Sequence, residues 1–191
     1  MRGIEQIPWL YDAGMSVLER FGLAAWRREL ASGARGRTLD LGCGTGRNLP
    51  LLPAGVRAVG LDPCFDSLRT ARRRGHGVPL VCARAEALPF DGGQFQAVVS
   101  ALVFCSVGEP GRALFEVLRI LAPGGELRML EHVRVTGLAA RLQDLSQPTW
   151  TWLTGGCRPN RETETAVREA GFSIDAATRR ARGSMRLFSA R

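Results

Sequence analysis

Residues 38–48 read Thr-Leu-Asp-Leu-Gly-Cys-Gly-Thr-Gly-Arg-Asn, and the rest of the chain is ordered around them. Thr38, Leu39 and Leu41 form a β-branched and apolar run that ends at three glycines spaced two apart, Gly42, Gly44 and Gly46, with an amphipathic segment behind them. The pattern predicts a strand, a tight turn and a helix. Glycine lacks a Cβ, so such a turn can adopt positive φ and let a ligand lie against bare backbone, while the N–H groups opening the next helix attract an anion. A nucleotide-like ligand is the expected occupant.

Spacing discriminates among such ligands. The dinucleotide fingerprint Gly-x-Gly-x-x-Gly needs a third glycine where helix and strand pack closely, and counted from Gly42 and Gly44 that position is Arg47. Asp40, Gly42, Gly44 and Gly46 instead resemble the Asp/Glu-x-Gly-x-Gly-x-Gly first motif of the class I S-adenosylmethionine-dependent methyltransferases. The resemblance implies that the loop lies against the methionine part of the cofactor and that an acid at the end of the second strand holds the ribose diol. Residues 56–62, Val-Arg-Ala-Val-Gly-Leu-Asp, read as that strand and put Asp62 at that place.

At 191 residues the chain fits one domain and can bury roughly 70% of its unfolded surface. The expected organisation is a single methyltransferase domain: a helical cover over 1–35, a cofactor-binding core over 36–133, a substrate-region insertion over 134–161 and a C-terminal helix with strands over 162–191. The formal net charge of +8 invites a nucleic-acid reading. All 26 basic residues are arginine, scattered and not interleaved with aromatics, which favours a solvated face and leaves open a peripheral contact with an acidic membrane. The five cysteines, Cys43, Cys64, Cys82, Cys105 and Cys157, never form a Cys-x-x-Cys pair, so neither a disulfide framework nor a metal site is expected. No apolar run has signal-peptide or membrane-spanning length. The expected location is cytoplasmic.

Along the chain, Met15, Leu18, Phe21, Leu23, Trp26 and Leu30 recur at roughly helical spacing, interrupted near Gly22, and predict one or two helices over 11–31 that cover the cofactor cleft. Tyr11, the only tyrosine, opens this segment as a candidate contact. A short helix over 49–52 is stopped by Pro53, the next helix buries Leu68 and Ala71, His76 between two glycines reads as a turn residue, and 78–83 is strand three. Residues 84–90, Arg-Ala-Glu-Ala-Leu-Pro-Phe, resemble the Asp-Ala-Glu-x-Leu-Pro-Phe run of methyltransferases related to the quinone-biosynthesis enzymes, where the acid and adjacent backbone meet the adenine amine. Arg84 replaces the usual first acid, so that contact is expected from the Ala85 backbone and Glu86. Strand four over 97–101 carries Ser100 into the expected cofactor set. A helix over 112–121 with Leu114, Val117, Leu118 and Leu121 on one face, a stop at 122–125 and strand five over 126–133 complete the alternation of a doubly wound, mostly parallel Rossmann-like α/β sheet. Beyond it, 138–145 reads as helix, 147–161 interrupts the pattern, 162–170 is helical, and 172–178 and 185–189 read as two short strands, an antiparallel finish.

Leu-Val-Phe-Cys-Ser-Val at 102–107, Glu-His-Val at 131–133 and Gly-Cys-x-x-x-Arg-Glu-Thr at 156–163 resemble segments of the methyltransferase-like thiol S-methyltransferases and their bacterial relatives. The animal enzymes begin with a hydrophobic anchor that this sequence lacks, so membrane residence is not expected to transfer. The resemblance implies a small-molecule acceptor, a thiol foremost, with a quinone, phenol or lipid amine as alternatives. Methyl transfer from a sulfonium is an in-line displacement in which positioning can supply roughly 7–11 kcal/mol. His132, at the carboxyl end of strand five, is the histidine placed to act as a base. The acceptor pocket is expected from Tyr11, Cys105, His132, Trp150 and Cys157, roofed by the segment around 150–161. RNA methylation is opposed by the missing Asn/Asp-Pro-Pro-Tyr motif, and a dinucleotide oxidoreductase by Arg47 and the lack of a Tyr-x-x-x-Lys pair. Oligomeric state stays open.

Overall fold

A computed structural model describes residues 3–75 and 77–191; the turn expected at His76 lies outside them. Seven strands form one sheet in the order β3-β2-β1-β4-β5-β7-β6. They are β1 (Arg37–Leu41), β2 (Arg57–Asp62), β3 (Leu80–Cys82), β4 (Phe95–Ala101), β5 (Leu121–His132), β6 (Arg180–Arg182) and β7 (Met185–Ala190). The pairs among β1 to β5 are parallel, β7 runs antiparallel to β5, and β6 antiparallel to β7. The sheet is therefore the mostly parallel, doubly wound one expected from the sequence. Its chain order reverses between β1 and β4, which opens a crevice beyond their carboxyl ends.

Alternate residues feed two cores. Leu39, Val98, Leu127 and Met129 face one side and pack with Leu114, Val117 and Ile120 of α4 (Pro110–Ile120) and Val167 of α6 (Thr163–Glu169). Val99, Leu130 and Leu187 face the other and meet Leu30 of α2 (Ala24–Ser32). α1 (Pro8–Leu18) joins α2 through a kink with Gly22 at φ 113, so the helical cover is broken where the sequence put the break. α3 (Phe65–Arg74) buries Leu68 and Ala71, and α5 (Leu138–Thr154) follows β5.

Several boundaries differ from the sequence reading, each for a local reason. Behind the glycine turn there is only one 3-10 turn, Leu49–Leu51, and the α-helix N-terminus at the crevice is that of α3, through Cys64 and Ser67. β5 starts at Leu121, but its pairing jumps from Phe95↔Leu121 to Ala97↔Glu126; the Pro-Gly-Gly stop is a bulge with Gly124 at φ 72. Because Leu121 leaves the helix, the inner face of α4 is Ala113, Leu114, Val117 and Ile120, and Leu118 is exposed. α5 runs straight through Pro148 and ends only where Gly155 adopts φ 85, so 147–154 is helix, on an outer face that tolerates the missing N–H. Residues 172–178 contribute one bridge, Ile174 to Ala190, and the edge strand is Arg180–Arg182.

Candidate active site

The crevice is a cavity of about 590 Å³. The glycine loop forms its floor, with Gly42 at φ 63, Gly44 at φ 51 and Gly46 at φ 79. A Cβ on Gly42 would stand 2.4 Å from Val103 Cγ2, whereas one on Gly44 would meet nothing nearer than 4.0 Å. Gly42 and Gly44 line the cavity; Gly46 is buried instead, with the Ala71 Cα of α3 at 3.0 Å from where its Cβ would be. Asp62 ends β2 on the cavity wall, its Oδ2 accepting the Gly44 N–H at 2.9 Å and its Oδ1 the Cys64 N–H at 2.8 Å. Burial pushes its carboxyl up despite these two bonds.

The wall opposite is made by Arg84, Ala85 and Glu86 after β3 and by Leu102, Val103, Ser106, Val107 and Gly108 after β4. Glu86 Oε1 accepts the N–H groups of Gly108 at 3.0 Å and Glu109 at 3.3 Å, so it ties these two loops together. Burial pushes Glu86 up, but these backbone bonds and Arg84 beside it win, and its carboxyl lies below the ordinary range. Over the cavity stand Glu5, Gln6 and Tyr11 from the N-terminal cover, with Thr154 and Gly155 from the end of α5.

Two fully buried acids sit beneath this surface. Asp40 Oδ1 accepts from Asn48 Nδ2 at 2.8 Å, Asn48 Oδ1 accepts from Arg27 at 2.7 Å, and Arg27 pairs with Glu19 at 3.1 Å. The relay carries the base of the glycine loop to the helical cover. Glu131 Oε1 accepts from Ser100 Oγ at 3.2 Å and from the N–H groups of Val103 at 3.0 Å and Phe104 at 3.2 Å. Burial pushes both carboxyls up to about 7. Glu131 thereby shapes the turn after β4, where Leu102 is the one non-glycine residue with positive φ among the described residues, at 60°.

Arg47, which takes the place of a dinucleotide-fold glycine, clamps the same loop to the cover. It bonds to Asp12 Oδ1 at 2.9 Å, to Ser16 Oγ at 3.2 Å and to Glu19. Arg74 of α3 adds a second bond to Asp12 at 3.0 Å. A third group of side chains lies behind the crevice: Cys105 after β4, His132 closing β5 and Cys157 after α5 bring two sulfurs and an imidazole nitrogen within 4.8 Å of one another. The bond from Cys105 holds the Cys157 thiol below its ordinary range, and the same bond, with burial, pushes Cys105 up. Glu5 stands beside them, bonded to Ser106 Oγ at 3.3 Å; burial first, then the neighbouring Cys157, pushes it up to about 7.

Residues 39–129 match a family described as a methyltransferase domain. Two human proteins, named thiol S-methyltransferase TMT1B and TMT1A, are 35% and 33% identical to this chain, over 77% and 83% of it and over 67% and 72% of their own lengths. A crystal structure of a SAM-dependent methyltransferase from Thermotoga maritima, 23% identical, shares the fold with a TM-score of 0.68 over 94% of this chain and 97% of its own. This chain belongs to the class I S-adenosylmethionine-dependent methyltransferases. Its cofactor is S-adenosylmethionine. The crevice of this methyltransferase fits that group, since Gly42 and Gly44 offer side-chain-free backbone and Asp62 presents a carboxylate at the end of β2.

The residues singled out from sequence divide by position. Gly42, Gly44, Asp62, Ala85, Glu86 and Tyr11 line the crevice, while Asp40, Gly46 and Ser100 lie beneath it as supports. His132 lines a different cavity, of about 400 Å³, with Leu18, Phe21, Leu23, Trp26, Leu102 and Met185. Leu102 borders both spaces. Trp150 is 43% exposed and lines neither of these two cavities. Of the roof expected over 150–161, Thr154 and Gly155 stand over the crevice, joined there by Glu5 and Gln6 from the N-terminal cover, while Trp150 does not. Glu5 and Gln6 carry no motif that sequence reading could have found; Thr154 and Gly155 fall within the expected roof, though as the end of α5 and not as loop.

Proposed function

We propose that this methyltransferase moves a methyl group onto the sulfur of a small apolar thiol. The observation that carries the reading is the cavity beyond Leu102, walled by Leu18, Phe21, Leu23, Trp26 and Met185, with His132, Arg182 and Ser184 as its polar members. Such a wall suits a small hydrophobic acceptor and not a polyanion. The two human relatives named thiol S-methyltransferases support the same acceptor class.

The cofactor supplies an electrophilic methyl on a sulfonium. The chain's own part is placement: Asp62 and the glycine loop would hold one partner, the apolar cavity the other, and the two spaces adjoin at Leu102. The acceptor's sulfur would take that methyl in line with the departing thioether, and its own proton would pass to solvent. The thiolate is the reactive form. α1 and the kink after it, clamped to the glycine loop by Arg47 through Asp12 and Glu19, bring Leu18, Phe21 and Leu23 to that cavity.

Comparison of short alkyl thiols with alcohols of equal length tests this reading. Thiols should be preferred by at least about 100-fold in kcat/KM. Equal turnover of both, or turnover of phenols or quinones alone, would assign the site to another acceptor.

A further inference from the structure

Positioning alone accounts for methyl transfer in the crevice, and the cluster of Cys105, His132 and Cys157 behind it has the chemistry of a metal centre. Its three donor atoms lie within 4.8 Å of one another. In a tetrahedral zinc site, with Zn–S of about 2.3 Å and Zn–N of about 2.0–2.1 Å, ligand atoms stand about 3.4–3.8 Å apart. Closure on an ion therefore asks for movements of about 1 Å, within the reach of side-chain rotation. Both cysteines are free and buried, 2% exposed each, so no disulfide occupies the donors. His132 Nδ1 is buried without a hydrogen-bond partner, an open valence that a folded interior seldom leaves. The three groups are held by different elements: the turn after β4 that Glu131 fastens, the end of β5, and the Gly155-Gly156 exit of α5, where Cys157 N–H donates to Thr154 Oγ1 at 3.2 Å.

We propose that Cys105, His132 and Cys157 bind one zinc ion, with the fourth coordination position on the side of Glu5. Two thiolates and an imidazole are a donor set for zinc and not for magnesium or calcium, and the two negative charges neutralise the ion in a buried place. Three protein ligands with a fourth position free is the arrangement of zinc sites that take an exchangeable ligand. Glu5 also lines the crevice, so the fourth position faces the cofactor's side of the cluster. The site stands independently of the acceptor's identity.

The test uses the full chain, purified with zinc and a thiol-free reductant, dialysed against metal-free buffer and assayed for bound metal. The parent should retain about one equivalent of zinc. Cys105→Ser and Cys157→Ser should lower zinc affinity by at least about 100-fold, and Glu5→Gln by about tenfold, in the range of an outer or exchangeable ligand. Cobalt added to the stripped parent should give thiolate-to-cobalt charge-transfer absorption that zinc abolishes, a reading that needs no variant to fold. A parent without zinc and without the cobalt band, a Cys105–Cys157 disulfide in the same reductant, or serine variants that hold zinc as the parent does would each overturn the proposal.

Discussion

Asp62 Oδ2 accepts the Gly44 N–H at 2.9 Å, so the acid that ends β2 is fastened to the glycine loop that follows β1. One carboxylate thereby sets the loop's conformation and faces the cofactor crevice. Asp62→Ala should lower affinity for S-adenosylhomocysteine about 10- to 100-fold, since each charge-assisted hydrogen bond is worth about 1.5–3 kcal/mol. Titration calorimetry reads it directly. An alanine variant that binds as the parent does would remove Asp62 from the cofactor's ligands.

Two glycines should respond to alanine in opposite directions. At Gly42 the backbone is at φ 63 and a Cβ would meet Val103 Cγ2 at 2.4 Å, so Gly42→Ala should cost about 1–3 kcal/mol and push Val103 into the crevice. Gly14 sits within α1 with nothing within 4 Å of its built Cβ, and Gly14→Ala should stabilise by about 0.5–1 kcal/mol. Urea unfolding of the two variants beside the parent measures both. The same sign for both would contradict the loop geometry.

The clamp between the glycine loop and α1 should open in acid. Hydrogen bonds from Arg47 hold Glu19 below its ordinary range; in Asp12 burial pushes the other way, and bonds from Arg74, Thr45 and Arg47 outweigh it. For a carboxylate whose folded pKa is depressed, the stabilisation is complete above the unfolded value and is lost as pH falls through the folded one. Protection of the 8–23 amides, taken relative to their intrinsic exchange at each pH, should therefore be high at neutral pH and fall below about pH 4. Arg47→Ala should reproduce the acid pattern at neutral pH. Protection of 8–23 that is indifferent to both changes would mean that the cover is held by other contacts.

Trp26 lines the apolar cavity and Trp150 does not. Trp26→Ala should raise the thiol KM by about tenfold with cofactor affinity unchanged, the loss of a pocket contact made equally in ground and transition states. Trp150→Ala should leave KM within about twofold. The reverse ranking, read from steady-state kinetics, would restore the roof over 150–161 as the acceptor's wall.

The strand–glycine–acid grammar of the crevice was legible because it is local: Gly42, Gly44 and Asp62 act through backbone freedom and position at a strand end, which spacing alone encodes. The buried supports were half legible. Asp40 stands in the motif, yet nothing in the sequence says that it faces Asn48 and Arg27 and not the crevice. The cysteine–histidine cluster was legible as a grouping, since Cys105, His132 and Cys157 each fall in a segment expected at the acceptor pocket, but not as a set of converging donors, because no ligand-type spacing joins them and they meet only through the convergence of β4, β5 and α5. The end of α5 was misread because Pro148 signals a break that an outer helical face absorbs, so the roof residues Thr154 and Gly155 come from the end of a helix and not from a loop.

Transfer of labelled methyl from S-adenosylmethionine to a short alkyl thiol, with the product identified by mass spectrometry, tests the central claim most directly. The account predicts a labelled methyl thioether formed in step with S-adenosylhomocysteine, and its loss in Asp62→Ala. Labelled product from a phenol, quinone or amine, with none from any thiol, would contradict it.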